Sequence, residues 1–342
     1  MIQTEHPSRA TPAVRKGKDA RRAGIRTGGV AHHAQRFLAA ALLFGVTASA
    51  SAVASAGESG DYFAIRSSPG QVKPAPPFRF TFDGNRVSYY SHGRDLDLFP
   101  EAKYAGIGKY TGELSDRYRQ ELEQVKRILA NHEIASVRGR NIGSVLTYSF
   151  DQNGTRYQGA LQYRSSDEIA VKLQFLYEIA QDLLEHGTPE INLHPALAVR
   201  SESGNLVVDI VFRNEGAQDV VIDGPEKWSP LLVDPNVQYI QVGGLSDSGV
   251  GFEVRLIAKY LSAASRHYAS TIAVKPGEPV KVEFIVPYTA LTFDLNSSAQ
   301  RVHSGTYRIV GKANLDIQSP DEMKGKVFTR MDMLPAVDLT ER

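Results

Sequence analysis

The patterned region opens on two short runs, Tyr62 to Arg66, which reads as a first strand, and Phe78-Arg79-Phe80-Thr81-Phe82, in which apolar and polar residues alternate cleanly. A period of two is that of a strand with one buried face. Asp83-Gly84-Asn85 supplies turn chemistry, so the second run and Arg86 to Tyr90 are predicted to form a hairpin with Phe78, Phe80 and Phe82 on its core side. Four prolines between Pro69 and Pro77 mark an extended connector, and Ser91 to Gly112 reads as a loop. The period then becomes helical. Leu114, Tyr118, Leu122, Val125 and Leu129 form one stripe of a helix that starts at Ser115 and ends near Asn131, with Glu121, Glu123, Lys126 and Arg127 on its outer face.

The same order of elements follows once more. Val145 to Phe150 alternates, Asp151-Gln152-Asn153-Gly154 turns, and Thr155 to Tyr163 returns. Ser165 with Glu168 makes a capping box, Ile169, Leu173, Leu176, Ala180 and Leu183 form a buried stripe, and Gly187 stops the helix. Aligning Phe82-Asp83 with Phe150-Asp151 sets the two hairpin-helix units 68 residues apart. The expectation is a pseudo-repeat whose antiparallel sheet is covered on one face by two helices.

From Pro189 onward the pattern is nearly all strand. Leu197 to Arg200, Asn205 to Asn214, Val220 to Asp223, Val237 to Val242, Gly251 to Leu261, Ser270 to Val274, Val280 to Val286, Thr306 to Ile317 and Lys326 to Met331 alternate or run apolar. Turns such as Asn214-Glu215-Gly216, Pro276-Gly277 and His303-Ser304-Gly305 separate many of them, with one helical turn near Ser262 to Tyr268. Leu206 to Asn214, then Val220 to Asp223, and Ser304 to Val310 resemble the strand-and-turn pattern of bacterial immunoglobulin-like domains. The resemblance covers about half of residues 190–342 and lacks the cysteine pair of antibody domains. It implies a sandwich used as a spacer or binding module, and no activity. The fold class expected is therefore α+β, with an α+β domain over 57–188 and an all-β immunoglobulin-like sandwich over 189–342.

Residues 1–56 carry a different pattern. Phe37 to Val46 is a run of ten apolar residues preceded by Arg36 and followed by small residues, and Ala54-Ser55-Ala56 before Gly57 fits a signal peptidase site. The uncharged stretch Phe37 to Ala56 is long enough for a membrane anchor, but its second half is alanine and serine with Val53, which gains little from lipid. Cleavage is the expectation. The first 36 residues hold eight Lys/Arg against Glu5 and Asp19 and read as a solvated leader; Arg21-Arg22 lies too far from Phe37 for a twin-arginine signal, and a start near Val30 would account for the excess length.

Removing 1–56 changes the charge. Lys+Arg falls from 39 to 31 and Asp+Glu from 38 to 36, so a formal +1 becomes about −5 over 286 residues. A mildly acidic chain with no basic stripe is a poor nucleic-acid binder and has no electrostatic pull toward anionic lipid. The chain has no cysteine, which excludes disulfides, thiol catalysis, cysteine-ligated zinc and a lipidated N-terminal cysteine.

Six histidines follow residue 56, and with the serine and carboxylate motifs they are the candidates for chemistry. His132-Glu133 begins like a zinc-protease helix, but Ser136 stands where the second ligand belongs. Gly244-Leu245-Ser246-Asp247-Ser248 misses the last glycine of a nucleophile elbow, and Gly305 to Lys312 misfits a phosphate loop. His186 sits in the last turn of its helix, where a cation suits the dipole. In HGRDLDLFPE, His92, Asp95, Asp97 and Glu101 are the acid/base or cation-binding candidates. Trp228, the sole tryptophan, reads as a core plug, or as a binding anchor if exposed beside Tyr239 or Tyr260. No metal or cofactor is expected. The expected function is non-catalytic binding or structural work by an exported, periplasmic or secreted protein of the bacterial envelope, with another envelope or secreted protein as partner and no membrane association after cleavage. Two alternatives are an immunity protein that neutralises a secreted toxin and a hydrolase using His92, Asp95 and Asp97.

Overall fold

The computed structural model describes residues 62–68, 78–93, 106–131, 144–164, 167–231, 237–293, 304–332 and 336–339. The export segment with Ala54, Ala56 and Gly57 lies outside them, as do Asp95, Asp97, Glu101, His132, Ser165 and His303. The fold is β-rich with antiparallel sheets. Its strands are β1 (Tyr62–Ser68), β2 (Phe78–Asp83), β3 (Arg86–Ser91), β4 (Ile107–Glu113), β5 (Ser144–Gln152), β6 (Thr155–Tyr163), β7 (Thr188–Glu202), β8 (Asn205–Asn214) and β9 (Val220–Asp223). They continue with β10 (Tyr239–Ser246), β11 (Gly251–Leu256), β12 (Thr271–Val274), β13 (Val280–Pro287), β14 (Thr292–Phe293), β15 (Gly305–Ser319), β16 (Gly325–Asp332) and β17 (Val337–Leu339). One nine-stranded sheet runs β13-β8-β7-β4-β3-β2-β1-β5-β6. The second runs β12-β9-β15-β10-β11-β14, with β16 and β17 also paired to β15.

Turn chemistry sets the hairpins. Asn153 and Gly154 both take positive φ, 52° and 72°, between β5 and β6, and Ser203 and Gly204 do the same at 47° and 77° between β7 and β8. Two successive positive φ values give the turn whose twist matches that of the flanking strands. In the β2–β3 hairpin only Gly84, at 57°, is left-handed.

Three helical segments cover one face of the first sheet: α1 (Asp116–Ala130), α2 (Glu168–Lys172) and α3 (Phe175–His186). Their apolar stripes, including Leu122, Val125, Leu129, Leu176, Ala180 and Leu183, join Phe63, Ile65, Phe78, Phe80, Phe82 and Phe150 of the strands in one buried cluster. Ser115 caps α1, its Oγ accepting the Tyr118 N–H at 3.4 Å. Lys126, expected on the outer face of α1, is only 5% exposed; its stem is buried and its ammonium reaches Glu123 at 2.8 Å.

The second expected helix is broken at Leu173 and Gln174. Leu176 N–H bonds Leu173 O at 3.1 Å and Tyr177 N–H bonds Gln174 O at 3.0 Å, the tight three-residue spacing that closes one segment and opens the next. Asp167 precedes the first segment, and its carboxylate accepts the Arg164 N–H at 2.7 Å instead of capping the helix; the expected capping residue Ser165 lies outside the described residues. Gly187 ends α3, but as an extended residue at φ −66°: a Cβ there would lie 2.5 Å from Leu183 O, so close approach explains the glycine.

The stretch expected to be a loop up to Gly112 contains strand β4, which pairs with β3 on one side and β7 on the other. Its glycines read as breakers in the sequence; in the fold they admit neighbours. A Cβ on Gly108 would stand 1.9 Å from Ile191 O, and one on Gly112 would stand 2.6 Å from Leu183 Cδ2. Strand β7, expected only over Leu197 to Arg200, spans fifteen residues. Its first part pairs with β4 and its second with β8, so the sheet is continuous across residue 188. Pro189 and Pro195 lie within this strand, at positions opposite Tyr110 and Phe212.

Beyond residue 202 the expected strands coincide closely with β8, β9, β12, β13, β15 and β16, whereas β10, expected over Val237 to Val242, starts at Tyr239 and runs on to Ser246. The run to Leu261 stops at Leu256 and gives way to short 3-10 turns, one of them Ala263–Tyr268 at the expected helical position. Buried residues of β7, β8 and β13 (Leu197, Ile210, Phe284) share a second core with those of β9, β10 and β15 (Ile222, Ile240, Leu315). Asn214 closes one corner of this core: buried, its Oδ1 accepts from Gly216 and Asn192 N–H, and its Nδ2 donates to Gln218 O at 2.6 Å.

Candidate functional site: a cationic groove on the second sheet

The outward face of the second sheet carries the candidate site. Residues of a strand alternate faces, so Gln241, Gly243 and Leu245 of β10 and Arg308, Val310 and Lys312 of β15 look outward while Ile240, Val242, Ile309 and Ala313 enter the core. Cross-strand pairing lines them up in rows. Leu245 faces Arg308 and Gly251, Gly243 faces Val310 and Glu253, and Gln241 faces Lys312, which in turn faces Arg330. The middle row has no side chain at Gly243. The result is a groove of about 430 Å³ lined by these residues, with Gly243 and Val310 as floor.

Its charge is positive. Arg308, Lys312 and Arg330 are exposed cations, and among the described lining residues the one carboxylate, Glu253, is held by the Gln241 amide. Arg308 lies 3.8 Å from Asp247, but with side chains 71% and 94% exposed that pair competes with water and contributes little. Leu245, 48% exposed, gives one end of the groove an apolar lip. A Cβ built on Gly243 would come no closer than 3.4 Å, to Phe252 O, so the hollow is open space above an extended backbone.

Tyr239 belongs to this face. It is buried beneath Arg255, whose guanidinium carbon sits 3.4 Å from the ring centroid in a cation-π contact. Trp228 is not on it. At 3% exposure it plugs the second core, its ring 5.9 Å from Phe284 and its indole N–H donating to Asp223 O at 3.0 Å. Tyr260 is half-buried against the same core with Lys259 Nζ 4.7 Å from its ring centroid, so the three aromatic candidates do not converge.

His92 follows β3, on the face of the first sheet opposite the helices. Its Nδ1 lies 3.1 Å from Tyr90 O and its own carbonyl accepts the Phe328 N–H of β16 at 2.9 Å. Burial, with the fields of Arg66 and Arg79, lowers its pKa to about 4. Around it the sheets are tied by charge. Arg79 lies 4.1 Å over the Tyr90 ring and donates to Glu322 O at 2.6 Å, while Lys109 reaches Glu190 at 2.7 Å and Glu322 at 3.4 Å. His186, at the end of α3, pairs with Asp182 at 3.1 Å on the exposed surface.

The serine of the near-elbow motif is occupied structurally: Ser246 Oγ accepts the Val250 N–H and donates to Val250 O, each at 3.1 Å, closing the β10–β11 turn. Sequence patterns do not single out the groove cations, and Lys312 stands there only at the end of a misfitting phosphate loop. The available signal was the alternation of Arg308, Val310 and Lys312 along one strand; Arg330 joins them through pairing that no local pattern encodes.

Compared with protein-family models, with curated proteins and with solved structures, the chain shows no match.

Proposed function

We propose that this chain is an exported, non-catalytic binding protein of the bacterial envelope, freed by cleavage after Ala56, whose second half is an immunoglobulin-like sandwich presenting a binding face. The first half, with its helices on one face of an antiparallel sheet, is the α+β part that carries that sandwich. The observation that supports the reading is the groove between Leu245 and Arg330. Three cations and an apolar residue surround a floor that lacks a side chain at Gly243, an arrangement suited to receiving another molecule, and the described lining holds no buried nucleophile or acid pair. His92 weighs against the hydrolase alternative, because a ring protonated only near pH 4 is a weak base at neutral pH.

A photo-crosslinking amino acid placed at Leu245 in living cells tests this, with the same residue at Val171, exposed on α2, as the reference position. A discrete adduct is expected at 245 and none at 171. Equal labelling at both positions, or none at either, would refute the assignment of the groove.

A further inference from the structure

Resting on the reading of the groove as a binding site, we infer that its ligand is an extended acidic segment of a partner protein, with carboxylates at positions i and i+4 and a small or apolar residue at i+2. The three rows of the groove set this spacing. Arg308 beside Leu245, Val310 beside Gly243, and Lys312 beside Gln241 and Arg330 are each two residues apart along β15. At about 3.3 Å per residue the outer rows are about 13 Å apart, the distance between side chains i and i+4 of an extended ligand running along the strand. A carboxylate at i meets Arg308, whose exposed Asp247 partner is readily replaced, and its neighbouring carbons meet Leu245. The side chain at i+2 enters the hollow over Gly243 and Val310. The carboxylate at i+4 meets Lys312 and Arg330, which face each other directly across the β15–β16 pair.

Arginine offers a planar fork that matches a carboxylate with two parallel hydrogen bonds. Among the described residues the groove offers no exposed aromatic face on which a sugar ring or a base stacks: Phe252 is buried in the core, and Tyr239 lies beneath Arg255. A peptide is therefore favoured over an acidic glycan or a single-stranded nucleic acid.

The test uses the chain from Gly57 onward and a fluorescein-labelled peptide Ser-Glu-Ser-Val-Ser-Glu-Ser, titrated by anisotropy. Three probes accompany it: the same composition with adjacent glutamates, oligogalacturonate and oligo-dT. Binding of the spaced peptide is expected, at least threefold tighter than of the adjacent-glutamate peptide, and at least tenfold weaker in the triple variant Arg308→Gln, Lys312→Gln, Arg330→Gln. Gly243→Leu, which fills the hollow, is expected to abolish it. The triple variant alters only exposed side chains, so it keeps the test valid if Gly243→Leu misfolds. No binding at about 1 mM peptide, a range in which single specific contacts still register, overturns the inference. So does undiminished binding by the triple variant, or tighter binding of oligogalacturonate or oligo-dT. An adduct at Leu245 without peptide binding overturns the acidic-segment inference alone and leaves the groove as a binding site; loss of both removes the site.

Discussion

Replacing Gly108 by alanine probes how closely β4 and β7 approach. The added Cβ would stand 1.9 Å from Ile191 O, 2.8 Å from Ile191 C and 3.2 Å from Asn192 Cα, all backbone atoms that no rotamer change can move aside. Relief requires the strands to part by about 1 Å, which stretches ladder hydrogen bonds beyond their usual range of about 3.2 Å. About two such bonds at roughly 1 kcal/mol each are weakened. Ile107, Ile191 and Leu193, all buried at this junction, lose packing as well, at roughly 0.5–1 kcal/mol each. Alanine recovers about 0.4–1 kcal/mol by restricting the unfolded chain. The net cost expected is about 3 kcal/mol, among the larger values for a single substitution. With a urea slope of about 3 kcal/mol/M the midpoint falls by about 1 M. Urea unfolding followed by far-UV circular dichroism and by Trp228 fluorescence measures this, with Gly243→Ala, whose Cβ has room, as the control. A Gly108→Ala midpoint equal to that of the control would refute the close approach and with it the role given to this glycine.

Other expectations follow from the buried groups. Trp228→Ala should cost about 3–5 kcal/mol, the range for deleting a large core aromatic, whereas Trp228→Phe should cost less because it loses mainly the hydrogen bond to Asp223 O; chemical denaturation followed by circular dichroism separates them. His92 has a folded pKa of about 4 against about 6.5 unfolded, so between these values the unfolded chain binds more protons. Stability should therefore be lost as pH falls from about 6.5 to about 4, and His92→Gln should remove that part of the slope in urea midpoints measured across the window. Asp223, whose carboxylate meets Lys227, Gln238 and Gln318, should lose about 1–3 kcal/mol on conversion to alanine, mostly from the two stranded amides, since Lys227 can turn to water. Gly154→Ala should cost about 1–2 kcal/mol through its left-handed backbone, read as a lower thermal midpoint.

Local chemistry was legible where it alone decided the outcome. The alternation of Phe78, Phe80 and Phe82, the Asn153-Gly154 turn and the Ser115 cap each sit within a few residues of what they determine, and strands β8 and β9 were readable to the residue. Strand β4 was hidden because its glycines owe their presence to β7 and α3, partners distant in sequence. The extent of β7 was hidden by Pro189 and Pro195, which argue against a strand locally but sit in one whose neighbours tolerate them. The break at Leu173 was masked because both halves keep their leucines on the buried side, so the stripe alone reads as one helix. The groove was less legible still. A hollow made by an absent side chain at Gly243, under cations contributed by two strands, exists only once register is known.

Strand β7 also bears on how such a chain can be inherited. A gene exchange that joins residues before 188 to a foreign continuation would cut no linker. It would leave β4 facing an unrelated edge, and the backbone groups of Ile107 to Thr111, which now pair with residues 188–193 of β7, would need substitutes from the newcomer. The two halves are thus bound to diverge together, and the smallest piece that recombination can transplant intact runs on both sides of that strand.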